Sequence, residues 1–277
     1  MADDIGTTTR DPSTPAEFFG LEVEELRKSM GLSQEEFAPR VNYQQPYISK
    51  VESGSVLASE AFAFALDRAA GTPGVYARLR DRLSKRGHPT WFVPYIELER
   101  AANAVTDYSC TFLMGLLQTP EYAEAVFRAA HPRWDASEIK ASVETRMLRR
   151  EVLAREEPPL LWVIIHEGVL RALVGGRDVM ADQLRFLARQ AELPNVTLQV
   201  FPFKEGAAPS HLPFTLVETP GNGCSVYTET PTQGGQVEDA PKVVATARAT
   251  FDHLRMAALS EGESLAMIRK ITEEHDR

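Results

Sequence analysis

Cysteine is scarce in this 277-residue chain: Cys110 and Cys224 are its only two, and they lie far apart. Two such thiols supply neither a disulfide framework nor, by themselves, a thiolate metal cage. Long apolar runs are missing as well. The run Leu160–Ile165 is far short of the roughly 20 residues that a membrane-spanning helix needs. The opening Met1-Ala2-Asp3-Asp4 lacks the basic start and apolar stretch of a secretory signal, so a cytoplasmic protein with no membrane association is the expectation. Positive charge is in deficit, with 30 Lys and Arg against 39 Asp and Glu, a formal net charge of −9. That balance argues against a surface that coats nucleic acid broadly and leaves room for a small local DNA-binding face. Internal repeats and low-complexity tracts are absent. What is present is an ordinary globular composition, 43% hydrophobic and 25% charged, which excludes a wholly disordered chain.

Residues 1–14 carry Gly6, four threonines, Pro12 and Ser13 and read as a flexible arm. Short helical pieces follow over 15–72. Leu21, Val23 and Leu26 begin a first helix that ends at Met30-Gly31. Ser33 with Glu36 three residues later has capping-box spacing; that helix should stop near Pro39-Arg40. Only Val41-Asn42-Tyr43 separates it from another, opened by Gln44-Gln45-Pro46 and running through Ile48 and Val51 to Gly54. A fourth follows Ser59 and ends at Gly71. Residues 73–90 read as a linking helix, basic through Arg78, Arg80, Arg82, Lys85 and Arg86, and Gly87-His88-Pro89 marks the domain boundary.

Residues 91–277 are mixed. Tyr95–Tyr108 reads as a helix, as do a segment capped by Thr119, one opened by Asp135 and Glu138, Val179–Glu192, and two at the end of the chain, the last capped by Ser260 and Glu263. Leu160–Ile165 and Val196–Phe201 read as strands, and Phe214–Glu218 with Ser225–Glu229 as a hairpin. The fold class expected is an all-α helix-turn-helix module followed by an α+β domain with a small mixed sheet.

The strongest functional signal is the helix, short turn and helix between Ser33 and Glu52. A three-residue connection sets a second helix at a fixed angle to its support, as entry into a DNA groove requires. Gln45 suits bidentate contact with adenine, and Lys50, next to Ser49, can reach guanine or a phosphate. Gln34, in the first turn of the supporting helix, can help to hold a phosphate.

The runs Leu26–Ala38 and Tyr47–Gly54 resemble the XRE, or lambda-repressor-type, helix-turn-helix. By that likeness Gln44 and Gln45 start the recognition helix, Tyr47 lies at its reading end, Lys50 is a second reading position, and Ser53 and Ser55 fall in a loop touching the phosphate backbone. Arg27 and Glu52 match a buried ion pair that staples the recognition helix to the first helix. Two departures stand out. Asn42 occupies the place of the usual turn glycine, and Pro46 and Tyr47 replace small polar residues, so the base code does not carry over. Beyond the module, Trp91-Phe92, Gly115–Ala123, Arg146–Arg150, Pro159–Val163 with Glu167, Gln199–Phe203 and Tyr227–Glu229 resemble the C-terminal domain of antitoxin-like actinobacterial regulators of the WhiJ type, abundant in Streptomyces. The resemblance implies a transcription regulator working on double-stranded DNA as a homodimer, with a small protein encoded nearby as a further partner. Its alternative is an antitoxin-like adaptor that acts mainly by binding that small protein.

Plainer readings stand beside these. Residues 16–70 hold nine acidic residues against five basic ones, unfavourable near phosphate except over a local face. The basic helix near residue 80, and Arg146, Arg149 and Arg150, fit solvated faces. Trp91, Tyr95, Phe112, Trp134 and Trp162 fit core positions better than an effector pocket. His166-Glu167 begins like a zinc-protease helix, but Leu170 stands where the second histidine belongs. Ser210-His211, Cys224 and Gly175-Gly176 lack the surroundings that catalysis or phosphate binding would need. No catalytic residue, metal ligand or cofactor is assigned.

Overall fold

The computed structural model describes residues 12, 14–85 and 91–276. It divides into two units: residues up to Gly87 together with Asp135–Leu148, and the remainder from His88 onward. The expected arm lies almost wholly outside the described residues, as does the breaker Gly87-His88-Pro89.

In the first unit, α1 (Pro15–Ser29) begins well before Leu21. Thr14 and Glu17 form a reciprocal capping box around Pro15 at the first helical position. That signal sets the start of the helix ahead of Leu21, and Ala16, Phe19 and Val23 form its buried stripe. The Ser33–Glu36 box opens α2 (Gln34–Val41). This helix passes through Pro39 rather than stopping there. Proline forfeits one intrahelical hydrogen bond, and burial of Phe37, Ala38 and Val41 carries the turn onward. Asn42, at φ 60°, ends it in the left-handed conformation that a short polar side chain tolerates. Next come α3 (Gln45–Glu52) and α4 (Glu60–Ala70), the latter capped by Ser59 and closed by Gly71 at φ 68°.

The expected linker is a fifth helix of this unit, α5 (Val75–Lys85). Tyr76, Leu79 and Leu83 recur at helical spacing and pack on the core of Phe19, Phe37, Ile48, Val51, Phe62 and Leu66. Arg80 is not solvated; it is buried and donates through Nε to the Ala58 carbonyl at 3.0 Å. Asp67, on α4, caps α5 by accepting from the Tyr76 and Ala77 N–H groups.

In the rest of the chain, α6 (Val93–Ala101) gives way to β1 (Ala104–Ser109). The single helix expected over Tyr95–Tyr108 is therefore two elements; Val105 and Tyr108 face opposite sides of a sheet, a period of two that a helical stripe hides. There follow α7 (Pro120–Ala130), α8 (Ala136–Leu148), β2 (Leu160–His166), α9 (Glu167–Arg171), α10 (Arg177–Gln190), β3 (Val196–Phe201), β4 (Phe214–Thr219), β5 (Gly223–Thr230), β6 (Gly234–Glu238), α11 (Pro241–Ala257) and α12 (Glu261–His275). The six-stranded sheet is mixed, ordered β3-β2-β1-β4-β5-β6, with β1, β2 and β3 parallel and the other pairs antiparallel. Helices cover both faces. Val105, Val163, Val200 and Val217 meet α10 and α12 through Leu184, Leu187, Ile268 and Ile271. Tyr108, Ile164, Leu216 and Val226 face Phe251 and Leu254 of α11.

One helix crosses the expected domain order. The segment holding α8, although it follows α6, β1 and α7, groups with the first unit, where Leu148 packs on that unit's core.

Candidate nucleic-acid interface

The supporting helix α2 and the protruding helix α3 are joined by Asn42, Tyr43 and Gln44. Gln44 is the exposed N-cap of α3 and makes no side-chain cap hydrogen bond. Pro46, Ser49 and Lys50 are exposed, while Ile48, Val51 and Glu52 are buried. The helix thus presents one polar face and inserts the other into the core. Gly20 sets how deeply it seats: a Cβ at that position would stand 2.3 Å from the Val51 carbonyl oxygen. Only glycine lets the α1 backbone come so close.

A chain of side-chain hydrogen bonds runs from the core to the start of α3. Arg27, on α1, donates Nε to Glu52 Oε1 at 2.6 Å and Nη2 to Oε2 at 2.9 Å, and its Nη1 donates to the Leu32 carbonyl at 2.8 Å. The side chains of Arg27 and Glu52 are only 13% and 5% exposed. The hydrogen bond to the Glu52 carboxylate holds the Arg27 guanidinium above its ordinary pKa despite burial. Gln34 Nε2 donates to Glu52 Oε2 at 2.8 Å, and Gln45 Nε2 donates to Gln34 Oε1 at 2.9 Å. The Gln45 amide is held by one of its N–H groups, leaving its Oε1 and second N–H for a ligand.

Tyr47 stands apart from this face. Its ring stacks on Tyr43 at 5.0 Å between centroids and meets Phe62 edge-on, and its hydroxyl accepts from the Ser59 N–H at 2.9 Å. Ser53 and Ser55 are exposed just beyond α3, with hydroxyls 2.7 Å apart. The structure therefore brings Gln34, Gln45, Glu52 and Arg27 into one network, and leaves Gln44, Ser49, Lys50, Ser53 and Ser55 exposed around it. The link between the two glutamines is not visible from spacing alone; their placement on either side of a three-residue turn is its only sequence trace.

In the second unit, several residues depart from the solvated or pocket roles considered for them. The Arg149 side chain is only 8% exposed and pairs with Glu99 at 2.7 Å, and its guanidinium lies 4.9 Å from the Phe92 ring centroid. The Arg150 guanidinium lies over Phe186. The five aromatics do not gather at one place: Trp91 and Tyr95 share a cluster with Phe92 and Tyr227, Trp162 belongs to the other side of the sheet, Trp134 stacks on His131, and Phe112 is exposed. His166 is the N-cap of α9, its Nδ1 accepting from the Gly168 N–H. Buried Glu167 accepts from the Phe203 N–H and from Arg171.

Residues 19–82 match a family described as a helix-turn-helix domain. Residues 92–270, more than half of the chain, match a domain of unknown function, DUF5753. The chain belongs to the DUF5753 family. No curated protein and no solved structure matches it. In this DUF5753 chain the helix-turn-helix match spans the network above and most of α5, which supports a DNA-binding regulator in general terms. Among the described residues no helix is long and apolar enough to cross a membrane.

Proposed function

We propose that this chain is a sequence-specific transcription regulator of the XRE type, and that α3 reads the major groove of double-stranded DNA. The observation that carries this reading is the pre-oriented Gln45 amide at the start of a protruding helix, tied through Gln34 and Glu52 to Arg27 in the core. A side chain already held in place loses less entropy on binding, which favours discrimination between bases. Gln44, Gln45, Ser49 and Lys50 face the bases or the groove wall; Gln34, Ser53 and Ser55 serve the phosphates. Tyr47 acts from behind, fixing α3 on α4. The C-terminal domain supplies dimerisation and binds an effector or a small partner protein, as in the antitoxin-like actinobacterial regulators that its sequence resembles. One helix-turn-helix covers few base pairs, and doubling it makes the second contact effectively intramolecular. The operator should then hold two related half-sites about one helical turn, ~34 Å, or a multiple apart.

The test is selection of genomic DNA fragments retained by the full chain, followed by titration of the enriched site. One recurrent motif should emerge. Gln45→Ala and Lys50→Ala should each weaken that site by about 1–3 kcal/mol with the fold intact. Absence of an enriched motif, or unchanged affinity in both variants, refutes the assignment.

A further inference from the structure

The two faces of the sheet in the second unit are covered unequally. Helices α10 and α12 bury the face that carries Val105, Leu161, Val163, Val196 and Leu198. On the opposite face α11 packs through Phe251 and Leu254 over Tyr108, Ile164 and Val226. Earlier along the same strands, that face is left open among the described residues. Ala104, Thr106, Trp162, Thr197 and Cys224 are half-buried there, and Leu160 is 65% exposed. Strand register sets Leu160, Ala104, Glu218 and Cys224 in one row and Thr197, Trp162 and Thr106 in the next.

The residues of this strip are those of a covered surface. A strand with one solvated face alternates apolar and polar side chains, whereas a strand covered on both faces reads as a continuous apolar run. β2 is such a run from Leu160 to Ile165, so Leu160 and Trp162 stand where a solvated face would carry polar groups. The border is charged and balanced. Arg248 pairs with Glu218 at 2.6 Å and Arg255 with Asp252 at 3.1 Å, and the Arg255 guanidinium lies 5.1 Å from the Trp162 ring centroid. An apolar centre holding a tryptophan, inside a polar rim that includes arginine, is the anatomy of a protein interface. The outward side of α11 continues the face: Ala245 and Ala249 are exposed there, and Met256 is 74% exposed. The chain as a whole carries a formal charge of −9, so two copies repel except across a face whose charges cancel.

We propose that a second copy of this chain docks on this face about a two-fold axis. The outward side of α11 in each copy lies along the open strip of the other, with Met256 against Leu160 and Trp162. A two-fold axis brings the same patch to itself, and a patch whose charges are already paired meets no excess of like charge. The strip and the outward side of α11 together measure about 26 Å along the helix and about 20 Å across, roughly 500 Å² per copy. The total of about 1,000 Å² meets the lower limit of a specific interface, which suits a dimer completed by two neighbouring half-sites on DNA. This proposal rests on the dimerisation half of the function proposed above and gives it a surface.

The test is sedimentation equilibrium of the full chain without DNA, over micromolar concentrations, where a monomer–dimer equilibrium should appear. Leu160→Glu and Met256→Glu, both at exposed positions, should each weaken the dimer at least about tenfold, because each sets a carboxylate against apolar surface. Leu173→Glu, at a similarly exposed leucine between α9 and α10, should leave it unchanged. Circular dichroism and tryptophan fluorescence check that each variant is folded. The parent chain gives a readout that needs no variant: oxidation of Met256 by dilute peroxide should slow at least about fivefold as rising concentration converts monomer to dimer. A dimer unweakened by either glutamate variant, one weakened as much by Leu173→Glu, or Met256 oxidised at one rate in monomer and dimer would overturn this surface and leave dimerisation itself standing. A chain that stays monomeric at submillimolar concentration would overturn both. Because no DNA is present, neither result bears on the reading helix.

Discussion

Removing the Glu52 carboxylate should unfold the first unit at a much lower temperature. Both of its oxygens are engaged: Oε1 accepts from Arg27 Nε, and Oε2 accepts from Arg27 Nη2 and Gln34 Nε2. In Glu52→Ala the Arg27 guanidinium keeps only the Leu32 carbonyl among these partners, at a site where its side chain is 13% exposed. Breaking a buried pair from one side costs about 3–5 kcal/mol, because the remaining charge stays buried without its counter-ion. At about 4 °C per kcal/mol or more for a unit of this size, the melting temperature should fall by at least about 12 °C. The assay can tell the two units apart. All three tryptophans, Trp91, Trp134 and Trp162, belong to the second unit. Helical circular dichroism should therefore show an early loss that tryptophan fluorescence does not follow. Replacing both partners, as Arg27→Met with Glu52→Met, should recover most of the loss, since apolar side chains of similar size satisfy the site without a stranded charge. A single variant that melts within about 0.5 kcal/mol of the parent, the range of ordinary surface changes, would refute the buried-pair reasoning. So would a double variant no better than the single one.

Gly20→Ala should destabilise the first unit by about 1–3 kcal/mol through overpacking against the Val51 carbonyl, although alanine is the better helix former; a variant melting at or above the parent temperature would show that α1 and α3 can separate freely. Asp107 is buried, with its carboxyl pushed up to about 6 by burial against hydrogen bonds from Ser109 and Thr215. Its folded pKa lies above the ordinary 3.8, so the stabilisation is full below that ordinary value and is lost as pH rises through about 6, in total about 3 kcal/mol. The second unit, followed by tryptophan fluorescence, should lose stability between pH 4 and 7, and Asp107→Asn should flatten that slope; an equal slope in the variant counts against it. Leu148→Ala should cost about 1–2 kcal/mol for a half-buried leucine, and the loss should appear in the circular dichroism of the first unit while the fluorescence transition stays put; movement of the fluorescence transition alone would contradict the packing of Leu148 on the first core.

Capping chemistry made much of the fold legible. Ser33 with Glu36, Thr119, Asp135 with Glu138, and Ser260 with Glu263 all cap the helices that their spacing indicates. These signals are local, and local chemistry decides them. The errors fall where tertiary packing overrides local cues. Pro39 does not end α2, because Val41 beyond it is buried in the core. β1 lies directly after α6 with only two residues between, so apolar residues of two periods merge into one apparent stripe. Arg80 and Arg149 look like surface charges because burial and pairing depend on residues distant in sequence, Ala58 for one and Glu99 for the other. At the candidate interface, the Arg27–Glu52 pair is legible from the resemblance, whereas the inward turn of Tyr47 depends on Phe62 and Ser59 of a later segment.

The placement of α8 changes how the two functions can be separated. A cut at residue 90, suggested by the composition of the chain, would keep α1 to α5 and discard the segment Asp135–Leu148 that groups with them. Weak DNA binding by such a fragment would then have two causes, loss of a partner copy and loss of a packed helix, and would not measure dimerisation. The residue after Leu148 is Arg149, whose buried pair with Glu99 belongs to the second unit. Leu148, by contrast, packs on the first core. Adjacent residues thus serve two different cores, and the chain enters the first unit after Trp134 and leaves it before Arg149. Two covalent crossings tie α8 to the second unit in addition to the crossing that follows α5. The DUF5753 match includes α8 while the helix-turn-helix match ends before it, within α5. The two family matches part near the unit boundary at Gly87, yet α8, inside the second match, groups with the first unit. Oligomeric state and operator spacing are therefore properties to measure on the full chain, with point variants such as Leu148→Ala used in place of truncation.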